Sequence, residues 1–195
     1  QVIGDQALDL LNHLLARFAA AVGDAAAIPG INEKLTHPEP RIRAEAISTG
    51  ATIAPEYTPA YVQRGLTDPD PIVRTRAATL AWRCPQPRIR QLLITLLKTS
   101  GFAGNQADTV QVAACASLGR DRQEDSALVL MAVYASHLCS AFRFKSDIVR
   151  LAALQALTYH LDHPGVQEHL HRALRDSVPS IRHAARQILA LQHTS

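Results

Sequence analysis

Histidine gathers in the last part of the chain, at His160, His163, His169, His171, His183 and His193. Neutral imidazole is the commonest zinc ligand, but a site needs three or four converging donors. His160 and His163 stand three residues apart around a predicted helix end, with Asp162 between them. His169 and His171, two apart, cannot share one helix face. No cysteine adjoins them, so capping and surface roles are expected in place of a metal site. Cys84, Cys115 and Cys139 are far apart, form no CxxC and are odd in number. That pattern leads us to expect reduced, buried thiols in a reducing compartment, the cytoplasm. No Ser-His-Asp arrangement, Gly-rich phosphate loop or pair of catalytic carboxylates stands out. We therefore expect no catalytic residue, cofactor or metal, and the balance is against an enzyme without excluding one.

The other reactive side chains are cationic. The formal charge is +3, and of the 20 basic residues only Lys34, Lys98 and Lys145 are lysine. A charge this small permits an anionic partner without implying one. Arginine suits fixed hydrogen bonding to carboxylates and carbonyls. One loop places Phe142, Arg143, Phe144 and Lys145 side by side. Aromatic and Arg side chains dominate interface hot spots, so this loop is the expected protein contact. The same residues could stack on bases.

Behind these residues lies a repeating frame. Its clearest copy is LTDPDPIVRTRAATLAW, Leu66 to Trp82. Asp70 reads as a helix N-cap and Pro71 as the first helical residue, where a missing N–H costs nothing. A β-branched residue recurs at Ile42, Val73, Val110, Val149 and Ile181. Immediately after it stand Arg43, Arg74, Gln111, Arg150 and Arg182, and three further on Ala46, Ala77, Ala114, Ala153 and Ala185. The spacings of the Arg-type positions are 31, 37, 39 and 32 residues. Two helical segments per period of about 30–40 residues is the sequence signature of an α-solenoid.

The B helices, which carry the frame, are expected at 40–53, 71–83, 108–118, 147–161 and 179–192, with Asp108 and Asp147 as N-caps where Pro is absent. The preceding A helices are expected at 28–36, 57–67, 86–99, 123–141 and 164–175. Pro lies near helix starts throughout and inside none of the B helices. The third and fourth periods are longer, and loops at Ser100–Ala107, Gly119–Asp125 and Ala141–Ser146 are expected to absorb the excess. Ahead of the repeats, residues 5–22 read as an amphipathic helix. We thus expect one all-α domain over 1–195, with an N-terminal helix and five hairpins at about 28–54, 57–83, 86–119, 123–161 and 164–192. No apolar run reaches membrane-spanning length and no signal peptide is visible, so this segment is not expected to insert in a membrane. Gln1 in place of an initiator Met leads us to expect a piece of a longer protein, one whose missing part could include a membrane domain.

The phrase D-x-D-P-x-V-R-x-x-A-A at Asp68–Ala78 resembles the HEAT repeat, especially the short bacterial form found in phycobilisome-lyase-related proteins. The resemblance covers about 28–192. Asp68, Val73, Arg74 and Ala77 match best, with Asp176, Ile181, Arg182 and Ala185. The first copy has His37 where the early Asp is expected, the third has Gln111 for Arg and lacks that Asp, and the fourth has Phe144 there. The resemblance implies a short right-handed α-solenoid. It also implies a structural ladder in which Arg43, Arg74, Arg150 and Arg182 reach Asp68 and Asp176 in their own or the next turn, with the turn amides. A phosphate-binding stripe is the alternative use of those arginines.

HEAT-like enzymes leave marks that can be sought. Deoxyhypusine hydroxylase carries His-Glu pairs after the B-helix Arg for a di-iron site. Here those slots read Ala44-Glu45, Thr75-Arg76, Leu151-Ala152 and His183-Ala184, and no His-Glu pair occurs in the chain. Phycobilin lyases share only the scaffold residues. HEAT-like alkylpurine glycosylases use an aromatic-lined cleft, but Trp82, the only Trp, sits late in a B helix where core packing is expected. The expected function is a non-catalytic protein–protein interaction scaffold, a domain of a larger bacterial protein, whose B helices line a concave binding surface. The alternatives are a nucleic-acid-binding module and a lyase- or glycosylase-like enzyme or subunit.

Overall fold

Asp70 adopts an extended conformation, and its carboxylate accepts the Ile72 N–H at 2.8 Å. The helix that starts at Pro71 therefore has its cap where the sequence placed it. A computed structural model describes residues 28–98, 105–137 and 145–192. The helix expected at 5–22 lies outside these residues, as do Cys139, Phe142, Arg143, Phe144 and His193. Among the described residues the structure is helical and holds no strand.

The helices are α1 (Ile28–Lys34), α2 (Pro40–Ile53), α3 (Thr58–Leu66), α4 (Pro71–Leu80), α5 (Pro87–Lys98), α6 (Asn105–Asp121), α7 (Glu124–Tyr134), α8 (Asp147–Ala156), α9 (Pro164–Ala173) and α10 (Pro179–Gln192). Tight 3-10 turns extend α4 over Ala81–Arg83, α7 over Ala135–His137 and α8 over Leu157–His160. The chain divides into two compact units, the first ending at Cys84 and the second beginning at Pro85. In the first, α2 packs on α1, α3 and α4, and α3 packs on α4. In the second, α6, α8 and α10 pack in succession, as do α5, α7 and α9; α6 also packs on α5 and α7, α7 on α8, and α9 on α10.

The β-branched and alanine positions hold these packings together. Val73, Val149, Ile181, Ala77, Ala114, Ala153 and Ala185 are buried to 1% exposure or less. Ile42, on the first B helix, is half-buried. The core of the first unit joins Ile31, Leu35, Ala46, Ile47, Tyr61 and Val73, with Ile53 and Leu80 against it. Small residues set the helix spacing. A Cβ on Gly65 would lie 2.5 Å from Ile47 Cδ1 and 2.7 Å from Ala77 Cβ.

Three local expectations are corrected. Asp108 does not cap α6, which starts at Asn105. Gly119–Asp121 is helical, because Gly119 serves close packing: a Cβ there would meet the Ala156 carbonyl oxygen at 2.8 Å. The helix ends one step later, where Arg122 takes the left-handed conformation (φ 53°) that terminates helices and is usually given to Gly. Asp147 is the first helical residue of α8; Ser146 is its cap, with the hydroxyl accepting the Val149 N–H at 3.4 Å.

These contacts predict opposite results for two glycines. Gly119→Ala should destabilise the protein by about 1–3 kcal/mol, since backbone must move. Gly30→Ala has nothing among the described residues within 4 Å of the added methyl. It should be neutral or stabilising by up to about 1 kcal/mol through helix propensity. Urea unfolding of the two variants checks both.

Candidate interaction surfaces

The turn aspartates organise most of the charged residues. Asp68 lies between α3 and α4. Arg43, on α2, donates to it twice: Nε to Oδ2 at 2.8 Å and Nη2 to Oδ1 at 2.8 Å. The Arg43 Nη1 is held by the carbonyls of His37 and Pro38 at 2.8 and 3.0 Å. Asp68 Oδ1 also accepts the Asp70 N–H at 2.9 Å. Arg74, on α4, does not take the carboxylate. Its Nη1 donates to the carbonyls of Asp68 and Pro69 at 2.8 and 2.6 Å, which fixes the turn from its C-terminal side.

The second unit repeats this arrangement around Asp176. Arg150 Nη2 donates to Asp176 Oδ2, and its Nε donates to the Tyr134 carbonyl at 3.1 Å. The Tyr134 hydroxyl also donates to Asp176, at 3.2 Å, and the Val178 N–H reaches Oδ1 at 3.0 Å. Arg182 Nη1 binds the carbonyls of Asp176 and Ser177 at 2.7 and 2.8 Å. The side chains of Arg150 and Asp176 are only 5% and 3% exposed. Burial alone would push the Asp176 carboxyl up. The Val178 amide, the Arg150 guanidinium and the Tyr134 hydroxyl outweigh it and hold the group below the usual carboxylate range. Asp68 is lowered in the same way, by Arg43, the Asp70 amide and Arg74 acting against burial.

One further member of this bonding escaped the repeat alignment. Arg90, on α5, donates from Nε to Asp121 Oδ2 at 2.6 Å, and the Ser126 hydroxyl donates to the same oxygen at 2.7 Å. Its signal was present as Pro87-Arg88-Ile89-Arg90, the same Pro-x-Ile/Val-Arg frame as at Pro40–Arg43. Leu93 in place of the frame's Ala concealed it. His37 takes the early Asp position of the first hairpin and reproduces half its work: Nδ1 accepts the Glu39 N–H at 3.0 Å. His163 does the same for Gly165 at 3.2 Å as the N-cap of α9. An imidazole can cap a turn this way but cannot offer a carboxylate to a guanidinium.

Of the expected contact loop only Lys145 is among the described residues. Lys145 is 7% exposed. It precedes the cap of α8 and sits near Cys115 and Asp108, both on α6. Burial pushes its amine down, against the pull of those two groups. Cys115, wholly buried, has its thiol pushed up to about 12 by burial. Trp82 is corrected: it is 41% exposed, with the Arg83 guanidinium 5.5 Å from its ring centre. The helix tightens to 3-10 at Ala81, and the changed pitch turns the indole off the buried face.

An open cleft of about 690 Å3 lies along the C-terminal half of α9, lined by Tyr134, His169, His171, Arg172, Arg175 and neighbours. The two histidines that were not expected to share a face thus border one concavity. Each donates Nδ1–H to the carbonyl four residues before it, Gly165 and Gln167, both at 2.8 Å. The cleft's carboxylates are engaged, Glu168 with Arg172 at 2.5 Å and Asp176 with Arg150. His160 is buried near the Leu118 carbonyl, and burial pushes its imidazole down. Among the described residues no group of His, Cys, Asp and Glu gathers as a metal site would require. No described helix is long and apolar enough to cross a membrane.

Residues 160–189, which span α9 and most of α10, match a family model described as a HEAT repeat associated with sister chromatid cohesion. The match supports a HEAT-like repeat at this hairpin. No curated protein matches the chain.

The buried pair yields a test with a defined sign. Asp176→Ala should cost about 3–5 kcal/mol at pH 7, because Arg150 keeps its charge without its partner. A carboxylate held below its unfolded value stabilises the fold above about pH 4 and loses that contribution as pH falls through the lower folded value. The gap between wild type and variant should therefore narrow below about pH 4. Glu168→Ala, at an exposed pair, should change stability by less than about 0.5 kcal/mol at either pH. Urea unfolding at pH 7 and pH 3 measures both variants.

Proposed function

We propose that the chain is built of HEAT-like hairpins of the α-solenoid kind, and that it is a non-catalytic scaffold whose B helices bind a protein segment. The closer kinship proposed is with the short bacterial form of the repeat, on the strength of Asp68–Ala78. One observation carries the binding face. The position two residues before each ladder residue, occupied by Arg41, Ile72, Thr109, Ile148 and Ser180, is exposed in all five B helices. At two of them it is isoleucine, 42% exposed at Ile72 and 63% at Ile148. Tyr159, in the turn extending α8, is 44% exposed as well. A large apolar side chain held outward on an otherwise well-buried helix is what an interface core requires.

The contacts of the arginines favour this reading over nucleic-acid binding. Arg43 and Arg150 have their guanidinium groups occupied by carboxylates and carbonyls, so they are withdrawn from any phosphate stripe. The enzyme alternative finds no unpaired carboxylate in the cleft on α9. The reduced, buried state of Cys84 and Cys115 suits the proposed cytoplasmic setting.

A photo-crosslinking residue placed at Ile148 should capture a discrete protein in cells that make the chain. The same residue at Leu128, 49% exposed on the A helix α7, should not. Capture from Leu128 alone, or nucleic acid captured from Ile148, would overturn the assignment.

A further inference from the structure

The connection from α8 to α9 rests on two imidazoles three residues apart. His160 ends the 3-10 turn Leu157–His160 and is 7% exposed, with Nε2 3.4 Å from the Leu118 carbonyl near the end of α6. His163 is the cap of α9. Its Nδ1 accepts the Gly165 N–H at 3.2 Å, which that nitrogen can do only without a proton. The His163 N–H donates to the His160 carbonyl at 3.0 Å, so the docked turn and the cap are joined through one backbone hydrogen bond. Tyr159, on the same turn, is exposed.

The surroundings do not favour an added charge. Burial pushes the His160 imidazole down, and His163 acts in the same direction. Together they outweigh the Leu118 and Gly119 carbonyls and the Asp121 carboxylate, which favour a proton. Asp121 is already engaged, its Oδ2 accepting from Arg90 and from the Ser126 hydroxyl. The turn packs on α6, α7 and α8. Of the other charged groups on those helices, Arg120, Glu124 and Asp125 are exposed. Asp108, Asp147 and Arg150 belong to the opposite ends of α6 and α8. Asp162, between the two imidazoles, is exposed. A proton thus costs the connection twice: at His160 it charges a buried ring, and at His163 it takes the acceptor from the cap.

We propose that the connection Leu157–His163 is an acid-released hinge. With both imidazoles neutral the turn stays docked on the end of α6 and α9 keeps its cap. Protonation of the pair frees the turn and uncaps α9, and Tyr159 moves with it. The neutral buried ring contributes its full share above about pH 6.5, the ordinary imidazole value, and that share is lost as pH falls from there through the lower folded value.

The test follows the histidine ring resonances and the amide exchange of the full chain between about pH 7.5 and about pH 5. His160 should titrate below the ordinary imidazole range. The amides of residues 157–165 should lose about tenfold in protection across that interval, after correction for intrinsic exchange, while those of Val73–Ala77 in α4 keep theirs. His160→Gln puts a neutral donor at the Leu118 carbonyl, and its turn should stay protected at both pH values. His163→Asn keeps an acceptor at the cap that takes no proton, and the Gly165 amide should stay protected in it. The proposal fails if His160 titrates at or above the ordinary range, or if the wild-type turn keeps its protection at the lower pH. It also fails if both variants lose protection as the wild type does. Where a variant does not fold, the wild-type titration and exchange decide. The hinge does not depend on the scaffold reading, and none of these outcomes alters the crosslinking result at Ile148.

Discussion

A single carboxylate in a turn ties three segments of chain together. Asp68 holds the α2 guanidinium on both oxygens, takes the amide of Asp70, and lends its backbone carbonyl to Arg74. Asp176 takes Arg150 Nη2 on one oxygen and the Val178 amide on the other, and lends its backbone carbonyl to Arg182. Either carboxylate would be costly to bury alone. Arg150 and Asp176, almost without solvent, are sustainable because nearly every donor and oxygen has a partner. Replacing such a pair with well-packed apolar groups often gains stability, so net strength is not its main contribution. Surfaces of alanine and valine could pack in more than one register. The bidentate fork of Arg43 on Asp68 meets its acceptor in one geometry, and that singles out one stacking of α2 against the following hairpin.

The apolar ladder and the polar link divide the work. Alanine at Ala77 and Ala153, with glycine at Gly65 and Gly119, lets backbones approach until a single added methyl would collide with the neighbour. Close approach brings the guanidinium of one hairpin within reach of the next turn's aspartate. The link then holds the approach in place. Neither feature would serve alone: wide spacing would leave Arg43 short of Asp68, and unlinked alanine faces could slide.

Much of this was legible because periodic residues are the ones packing selects. The frame at Ile42/Val73/Val149/Ile181 and the alanines three after the ladder residue located α2, α4, α8 and α10 to within a few residues. What escaped obeyed other physics. Asp147 and Ser146 are both good caps, and only the backbone conformation at Ser146 decides between them. Gly119 looked like a loop because glycine is a breaker in isolation, while here it answers to Ala156 on another helix. Trp82 follows a change from α to 3-10 pitch that no hydrophobic pattern records. Lys145 stands in the sequence as part of a contact loop, yet it is 7% exposed and near Cys115 and Asp108 of α6. Arg90 and His37 depart from the frame by one residue type each, which hid a salt bridge and a turn cap.

The arginines therefore fall into classes that composition cannot separate. Arg43 and Arg150 are wholly engaged in structure, and Arg74 and Arg182 are half engaged through turn carbonyls. Arg175 and Arg186 are exposed. A formal charge of +3 averages over all of them. The distinction lies in what each guanidinium already donates to, because a fixed donor in a half-satisfied group costs less entropy to engage than a free side chain does. Under the proposed scaffold role, recognition would then depend on few side chains, the outward Ile72 and Ile148 on the B helices.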